Sequence, residues 1–401
     1  MLAAPTVLVA PSGFKESLDA DLVADAIATG VRRVLPGADV RCMPLVDGGE
    51  GTAVALVAAT GGRIVRRTVV GPVGEPIASH LGILGDGTTA VVEMAAAAGL
   101  RLVPRDRRDP LRTTTFGVGE LILAALDEGV TRILVGCGDS GTSDGGAGAL
   151  QALGARLLDA DGRELGHGAR VLRDLDRIDL AGLDPRLADV GITVACNPTN
   201  VLTGPRGVAR VFGPQKGASP RQVDRLAKAL KHWARTLEHD APAAAGVDLR
   251  RGLGTGASGG LGAGLAAIGA TLRPRFEVLL DQVDLDGAVA DADLVITAEG
   301  SIDAQTPRGK VPAEVARRAS RAGVPVLALA GTIGADADCV RAIGIGAVQG
   351  ILPAPMALDE ACARAAELVA DGTERALRTV LLGASLAPVL ADAGEQHAAA
   401  A

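Results

Sequence analysis

One unit recurs along this chain and limits what it can fold into: a short apolar, β-branched run, a loop of Gly, Ser and Asp, then an alanine-rich helical stretch. TVLVA (6–10) leads through PSGFKES into a helix expected from about Asp21 to Leu35. ADVRCMPLV (38–46) leads through DGGEGT into AVALVAA, and TRILVG (131–136) leads through CGDSGTSDGGAG into ALQALGARLL. GITVA (191–195) opens CNPTNVLTGPRG, and ADLVITA (292–298) leads through EGSIDAQTPRGK into PAEVARRASRAG. VPVLALAG (324–331) and AVQGILP (347–353) are further strands. Continuous apolar runs alternating with helices mark parallel strands covered on both faces, so the fold class is α/β.

Residues 65–98 depart from the pattern. They hold three short alternating runs split by G-P, G-D and D-G signals, which predicts an antiparallel meander. A chain of 401 residues is long enough for two domains. The expected organisation is a flavodoxin-like parallel-sheet domain built from both chain ends (residues 1–75 plus 290–385) around an inserted mixed α/β domain (76–289). The tail 386–401, ending HAAAA, is expected to be disordered.

Composition removes several function classes. There is no Tyr, one Trp and four Phe, and the formal net charge is −7 with no basic stripe. Neither the electrostatic footprint nor the stacking platform of a nucleic-acid binder is there. Five scattered Cys without a C-x-x-C pair read as reduced thiols. The opening MLAAPTVLVAPSG lacks a basic n-region and reads as a first strand, and no apolar run is long enough to cross a bilayer. The expected setting is the cytoplasm.

In parallel α/β sheets ligands bind beyond the carboxyl ends of the strands. The loops leaving those ends carry Ser12 and Lys15; Asp47 and Glu50; Asp139, Ser140 and Asp144; Asn197, Asn200 and Arg206; Glu299, Asp303 and Lys310. Acids, hydroxyls and a few cations beside glycines suit phosphoryl transfer, in which carboxylates hold magnesium and cations neutralise phosphate oxygens. Any one acidic loop could be a helix cap; several on different strands are harder to explain so. Lys15 at a helix start opposes the helix dipole, a conflict that an anionic ligand would resolve. None of the five His neighbours a Ser or Cys in a triad-like motif, and Cys137 and Cys196 read as buried thiols.

Two stretches match G-x-G-x-x-G. Gly136, Gly138 and Gly141 follow a strand, with Asp159 and Asp161 about twenty residues on, the context of a dinucleotide fingerprint, although Asp139 inside the loop would face a pyrophosphate. Gly254, Gly256 and Gly259 follow a charged segment, and either cradle phosphate or allow close helix packing. There is no Walker A motif.

At these loops the chain resembles the bacterial glycerate kinase family. APSGFKESL is similar to its opening A-P-D-S-F-K-G-S-L, PLVDGGEGT to P-M-A-D-G-G-E-G-T, and GCGDSGTSDGGAGALQALGAR to G-G-S-A-T-N-D-G-G-A-G and the helix after it. GPRGVARVFGPQKGA and ITAEGSIDAQTPRGKVP resemble two more signature segments, and the match runs in order from about residue 6 to 380. The resemblance implies two α/β domains and phosphoryl transfer from ATP to D-glycerate with magnesium, yielding 2-phosphoglycerate, by a monomer or homodimer. It implies that Lys15 and Arg206 hold the substrate carboxylate or transferring phosphate, with Ser12, Asn197 and Asn200 on the substrate side. Asp47, Asp139 and Asp144 would serve the metal and the attacking hydroxyl, with Asp47 and Asp144 as metal ligands. Glu299, Asp303, Lys310, Gly256 and Gly259 would form the nucleotide side. Ser12 and Asn197 stand where the family has Asp, and Asp139 where many members have Gly, as though a carboxylate had moved between loops.

Seven carboxylates (Asp47, Glu50, Asp139, Asp144, Glu299, Asp303 and Asp109) are expected to approach one cleft, which with an ATP tail calls for a divalent ion. Oxygen-only donors favour magnesium over zinc. Two other functions fit parts of the pattern: a nicotinamide-dependent oxidoreductase using the Gly136–Gly141 loop, and a non-catalytic small-molecule sensor.

Overall fold

The computed structural model describes residues 4–14, 17–241 and 246–399, with side chains to residue 386. Its strands are β1 (Thr6–Val9), β2 (Asp39–Cys42), β3 (Arg63–Val70), β4 (Pro76–Ile83), β5 (Thr89–Glu93), β6 (Arg132–Gly136), β7 (Arg156–Leu158), β8 (Arg177–Asp179), β9 (Gly191–Cys196), β10 (Thr271–Pro274), β11 (Leu294–Ile302), β12 (Val326–Ile333) and β13 (Ala347–Gly350). The chain divides into two compact units, Met1–Val46 with Asp284–Ala401, and Asp47–Val283.

The first unit holds a five-stranded, wholly parallel sheet in the order β13-β12-β11-β1-β2. Counted in chain order within the unit, this is the flavodoxin-like order 2-1-3-4-5, whose switch point lies between its first and third strands, here β1 and β11. The three central strands, β12, β11 and β1, are covered on both faces, which is why their runs VLALA, VITA and VLV are buried and largely apolar, whereas the edge strand β2 is largely exposed. Val7, Val9, Ile296, Leu327 and Leu329 pack with Ile27 of the helix Ala20–Val34 and with Leu368 and Val369 of the helix Ala365–Ala399. The alternate residues Leu8, Val295 and Ala328 are just as buried, and the helix Val311–Ala322 packs on β11 and β12. The terminal helix takes in residues 386–399, a stretch that the sequence reading leaves disordered.

The second unit holds a six-stranded mixed sheet, β10-β9-β6-β5-β4-β3. β10, β9, β6 and β5 run parallel, while β5, β4 and β3 form the antiparallel meander expected over 65–98. Residues 47–75 are grouped by sequence with the first domain. They lie in this unit because β3 pairs with β4 and the helix Thr52–Thr60 packs on β3, β4 and β5. A helix expected over ALQALGARLL is cut short. It spans Ala147–Ala152 and stops at Gly154 (φ +106°), after which Arg156–Leu158 pairs antiparallel with β8.

Candidate active site

The parallel strands of the second unit end level: Glu93 registers with Gly136, Gly136 with Ala195, and Pro274 with Cys196. Beyond these ends lies the glycine loop 48–51. Gly48 and Gly51 hold φ of +85° and +86°, open to glycine at little cost. A Cβ at Gly49 would stand 2.2 Å from Asp139 Oδ2 and 3.0 Å from Asp47 Oδ1, so one bare residue separates two carboxylates. Gly49 N–H donates to Asp47 Oδ1 (3.1 Å) and Glu50 N–H to Asp139 Oδ2 (3.3 Å).

Each carboxylate is held differently. Arg275, next after β10, donates Nη1–H to the Asp47 carbonyl (3.0 Å) and to Oδ2 (3.1 Å), with its guanidinium 4.8 Å from the Phe276 ring centre. Asp139 is exposed on a left-handed backbone (φ +49°), which Asp tolerates better than most residues, and its carbonyl accepts the Leu100 N–H at 2.8 Å. Beneath the loop Glu93, 1% exposed, accepts the N–H groups of Gly51 and Ala53 at the start of the helix Thr52–Thr60. Burial raises its carboxyl to about 7, against those donors; the charges of Glu50 and Asp139 push the same way.

Asp144 does not reach this surface. It is fully buried and accepts hydrogen bonds from Thr115 N–H (2.8 Å), Thr115 Oγ1–H (2.9 Å), Gly146 N–H (3.2 Å) and Gly148 N–H (3.2 Å). It thereby joins the N-termini of the helices Phe116–Asp127 and Ala147–Ala152, where an anion is favoured. Lys216, 2% exposed, donates to the Thr142 carbonyl (2.6 Å) and to Ser140 Oγ (2.8 Å). Burial lowers its ammonium to about 7, opposed by the Asp144 charge. Its oxygens are committed to the interior, and the structure does not bring Asp144, expected as a catalytic residue and metal ligand, to the surface that carries Asp47 and Asp139.

The same geometry removes the dinucleotide reading of Gly136–Gly141. The helix start that would take a pyrophosphate already holds Asp144, and a Cβ at Gly138 would meet Gly49 Cα at 2.5 Å, so the glycine loop fills the space above it. Gly256 and Gly259, expected on the nucleotide side, are both buried, and a Cβ would lie 2.3 Å from Val201 O at the first and 2.1 Å from Thr142 O at the second, so the backbone packs closely at both.

Asn197 Oδ1 closes its own turn, accepting Thr199 N–H (3.0 Å) and Oγ1–H (2.8 Å), while the Asn200 carbonyl accepts Gly256 N–H. Arg206 is exposed and, among the described residues, has no carboxylate partner. Asp109 is turned to its own loop, accepting Leu111 N–H at 3.0 Å.

In the first unit the candidates gather at the β1/β11 switch point. Ser12 donates both N–H (2.9 Å) and Oγ–H (3.0 Å) to the Ala298 carbonyl. Lys310, just before the helix Val311–Ala322, lies 3.6 Å from Glu299 and 3.5 Å from Asp303, and donates to the Ser301 carbonyl at 2.9 Å. Burial pushes Asp303 up, yet the Gln305 N–H, the Lys310 charge and the Ser301 hydroxyl together hold it below the ordinary carboxylate value. Lys15 lies outside the described residues.

Glu93, Lys216 and Arg275 are absent from the sequence-derived set. Glu93 had a visible signal, a single charge inside VVEMAAAAGL, as did Arg275, a cation directly after a strand. Among the described residues no group of three or more His, Cys, Asp or Glu is arranged to hold a metal ion, and no helix is long and apolar enough to cross a membrane.

Comparison with known proteins bears on this arrangement. The family model described as glycerate kinase family matches residues 7–381. The chain is 48% identical to a glycerate kinase of Bacillus subtilis strain 168 over 385 residues, 96% of this chain and 99% of that protein. It is 46% identical to the glycerate 2-kinase of Escherichia coli K12 over 378 residues, 94% and 98% of the two chains. A crystal structure from Salmonella typhimurium LT2, provisionally named glycerate kinase 2, superposes with a TM-score of 0.80 at 46% identity, covering 96% of this chain and all of that one. With its parallel and mixed sheets and its acidic loops beyond the strand ends, the chain belongs to the glycerate kinase family.

Proposed function

We propose that the chain transfers the γ-phosphoryl group of ATP to a hydroxyl of D-glycerate, giving 2-phosphoglycerate. The observation that carries this reading is the placement of Asp47 and Asp139 on either side of Gly49, at the level ends of the parallel strands, in a chain of this family. The name of the E. coli relative, glycerate 2-kinase, supports the choice of product.

Asp139, exposed and anchored through its carbonyl, takes the proton of the attacking hydroxyl as the new O–P bond forms and the bond to the leaving ADP oxygen breaks. Asp47, fixed by Arg275, would hold magnesium with the phosphates; one or two carboxylates are what that ion ordinarily takes from a protein, and it would supply charge neutralisation. Arg206 and Lys15 orient the carboxylate of the acceptor or the transferring phosphate, helped by Ser12, Asn197 and Asn200. Lys310, oriented by Glu299 and Asp303, serves the nucleotide phosphates. The reading carries with it a cytoplasmic enzyme acting on a small molecule as monomer or homodimer.

A coupled assay for ADP release over three- and four-carbon hydroxy acids, with and without EDTA, tests it, with the product identified by phosphorus NMR. D-glycerate is expected to be preferred, with turnover lost on chelation. No release with D-glycerate would overturn the reading, and a 3-phosphoglycerate product would overturn the regiochemistry.

A further inference from the structure

Outside the loops described so far, the second unit has a cleft of about 540 Å³ whose lining is dominated by arginine. Arg107, Arg108, Arg112 and Arg170 line it against two acids, Asp106 and Asp109, in a chain of net charge −7. A concentration of one sign of charge in a concave, partly desolvated place raises the local concentration of the opposite ion.

Two of these guanidinium groups are already engaged. Arg107 pairs with Glu75 at 2.6 Å, and Arg112 with Asp109 at 3.5 Å. Arg108 and Arg170 have no carboxylate partner among the described residues. Arg108 is the sharper case, because its Nε is closed off from solvent and meets no acceptor. Buried donors are satisfied almost everywhere in native proteins, and an orphan calls for an explanation such as an absent ligand.

The walls of the cleft are built closely. A Cβ at Gly168 (φ +89°) would stand 2.7 Å from the Arg112 carbonyl, and one at Gly217 (φ +95°) would stand 2.4 Å from the Arg108 carbonyl. Arg170 N–H donates to the Leu111 carbonyl at 2.8 Å, which ties the two arginine-bearing segments together. His167 is fixed as well. Gln151 Nε2–H donates to the Leu165 carbonyl (2.9 Å), leaving Oε1 to accept from His167 Nδ1 (3.2 Å) and His167 Nε2 for another partner.

We propose that this cleft is a second anion site, binding a phosphoryl group carried by a small molecule, with Arg108 and Arg170 as its principal contacts. The guanidinium fork matches phosphate oxygens in pairs, which a lysine cannot reproduce. The shared chemistry is a phosphoryl dianion, from a phosphate monoester or from an oligophosphate. The site is separate from the kinase reading, since none of its residues has a role there.

Isothermal titration calorimetry of the full chain with inorganic pyrophosphate and with glycerol 2-phosphate, in the absence of ATP and glycerate, tests the proposal. The wild-type protein is expected to bind at least one of the two, and Arg108→Gln/Arg170→Gln to weaken that binding tenfold or more. Lys310→Met, which alters the other phosphate-directed cation, is expected to leave it within twofold. Tighter binding of pyrophosphate assigns the site to oligophosphates, and tighter binding of the ester to monoesters. The single variant Arg170→Gln changes only an exposed side chain and is expected to weaken binding at least threefold, so a folding defect in the double variant does not decide the result. No binding of either probe, undiminished binding in Arg170→Gln, or loss in Lys310→Met alone overturns the proposal.

Discussion

Lys310 in the first unit and Lys216 in the second both stand near carboxylates in or just after a parallel strand, yet they answer to different physics. Lys310 and its partners Glu299 and Asp303 keep side-chain exposures of 23, 19 and 32%, at separations of 3.5 to 3.6 Å. That geometry is loose and wet enough to be rearranged by a ligand. Lys216 and Asp144 are sealed, their donors and acceptors committed to the Thr142 carbonyl, Ser140, Thr115 and two helix N-termini. Like residue types at like topological positions are thus half-exposed in one unit and sealed in the other. Burial separates the two: a desolvated ion needs all its partners built in, whereas a half-exposed one can exchange water for substrate.

The comparison can be broken at several points. The largest effect is expected at the exposed carboxylate. Asp139→Asn keeps a residue that tolerates the left-handed backbone and should leave the melting temperature unchanged, while lowering kcat about 10²- to 10⁴-fold. Steady-state kinetics beside calorimetry check this, and normal turnover would remove Asp139 from the chemistry.

At the sealed pair the loss should fall on stability. Asp144→Asn replaces a carboxylate oxygen that accepts buried backbone N–H groups with an NH2 group that cannot, which costs about 1–3 kcal/mol in chemical denaturation. A loss below about 1 kcal/mol, with turnover abolished, would return Asp144 to the active site.

Glu93 gives a pH test. Its carboxyl is raised from 4.5 to about 7 in the folded chain, so its contribution is fully present below pH 4.5 and is lost as pH rises through about 7. The integrated change is about 3 kcal/mol. Glu93→Gln should flatten the denaturation midpoint across that window, and an unchanged slope would mean that Glu93 is already ionised in the fold.

The smallest effect is expected at Lys310. Lys310→Met should raise KM for ATP by an amount equivalent to about 1.5–3 kcal/mol, the range for a charge-assisted hydrogen bond, with stability and KM for glycerate little changed. An effect on glycerate alone would reassign this cluster to the acceptor.

Much of the architecture was legible before any coordinates. The apolar runs TVLVA, TRILV and ADLVITA announce strands buried on both faces, and G-P, G-D and D-G punctuate the meander, because a sheet's hydrophobic pattern is local in sequence. Ser12, Asp47, Asp139, Asn197 and Lys310 follow strand ends, which can be read from sequence, whereas Glu299 lies inside β11, which runs four residues past its expected end at Ala298. The end of the helix Ala147–Ala152 was missed because Gly154 terminates an otherwise helical pattern.

What the sequence by itself determined is this periodicity, the acidic and glycine-rich character of the loops, and membership of a family. Tertiary structure alone decided which loop residues face water. Asp139 and Asp144 are five positions apart in one acidic loop, yet one is exposed and the other has no exposure at all. The difference is made by residues distant in the chain: Thr115 closes on Asp144 with two hydrogen bonds, while Gly49 and Leu100 leave the Asp139 side chain outside. Solvation is a property of the packed neighbourhood, and it determines whether a carboxylate reaches solvent or is sealed in the interior.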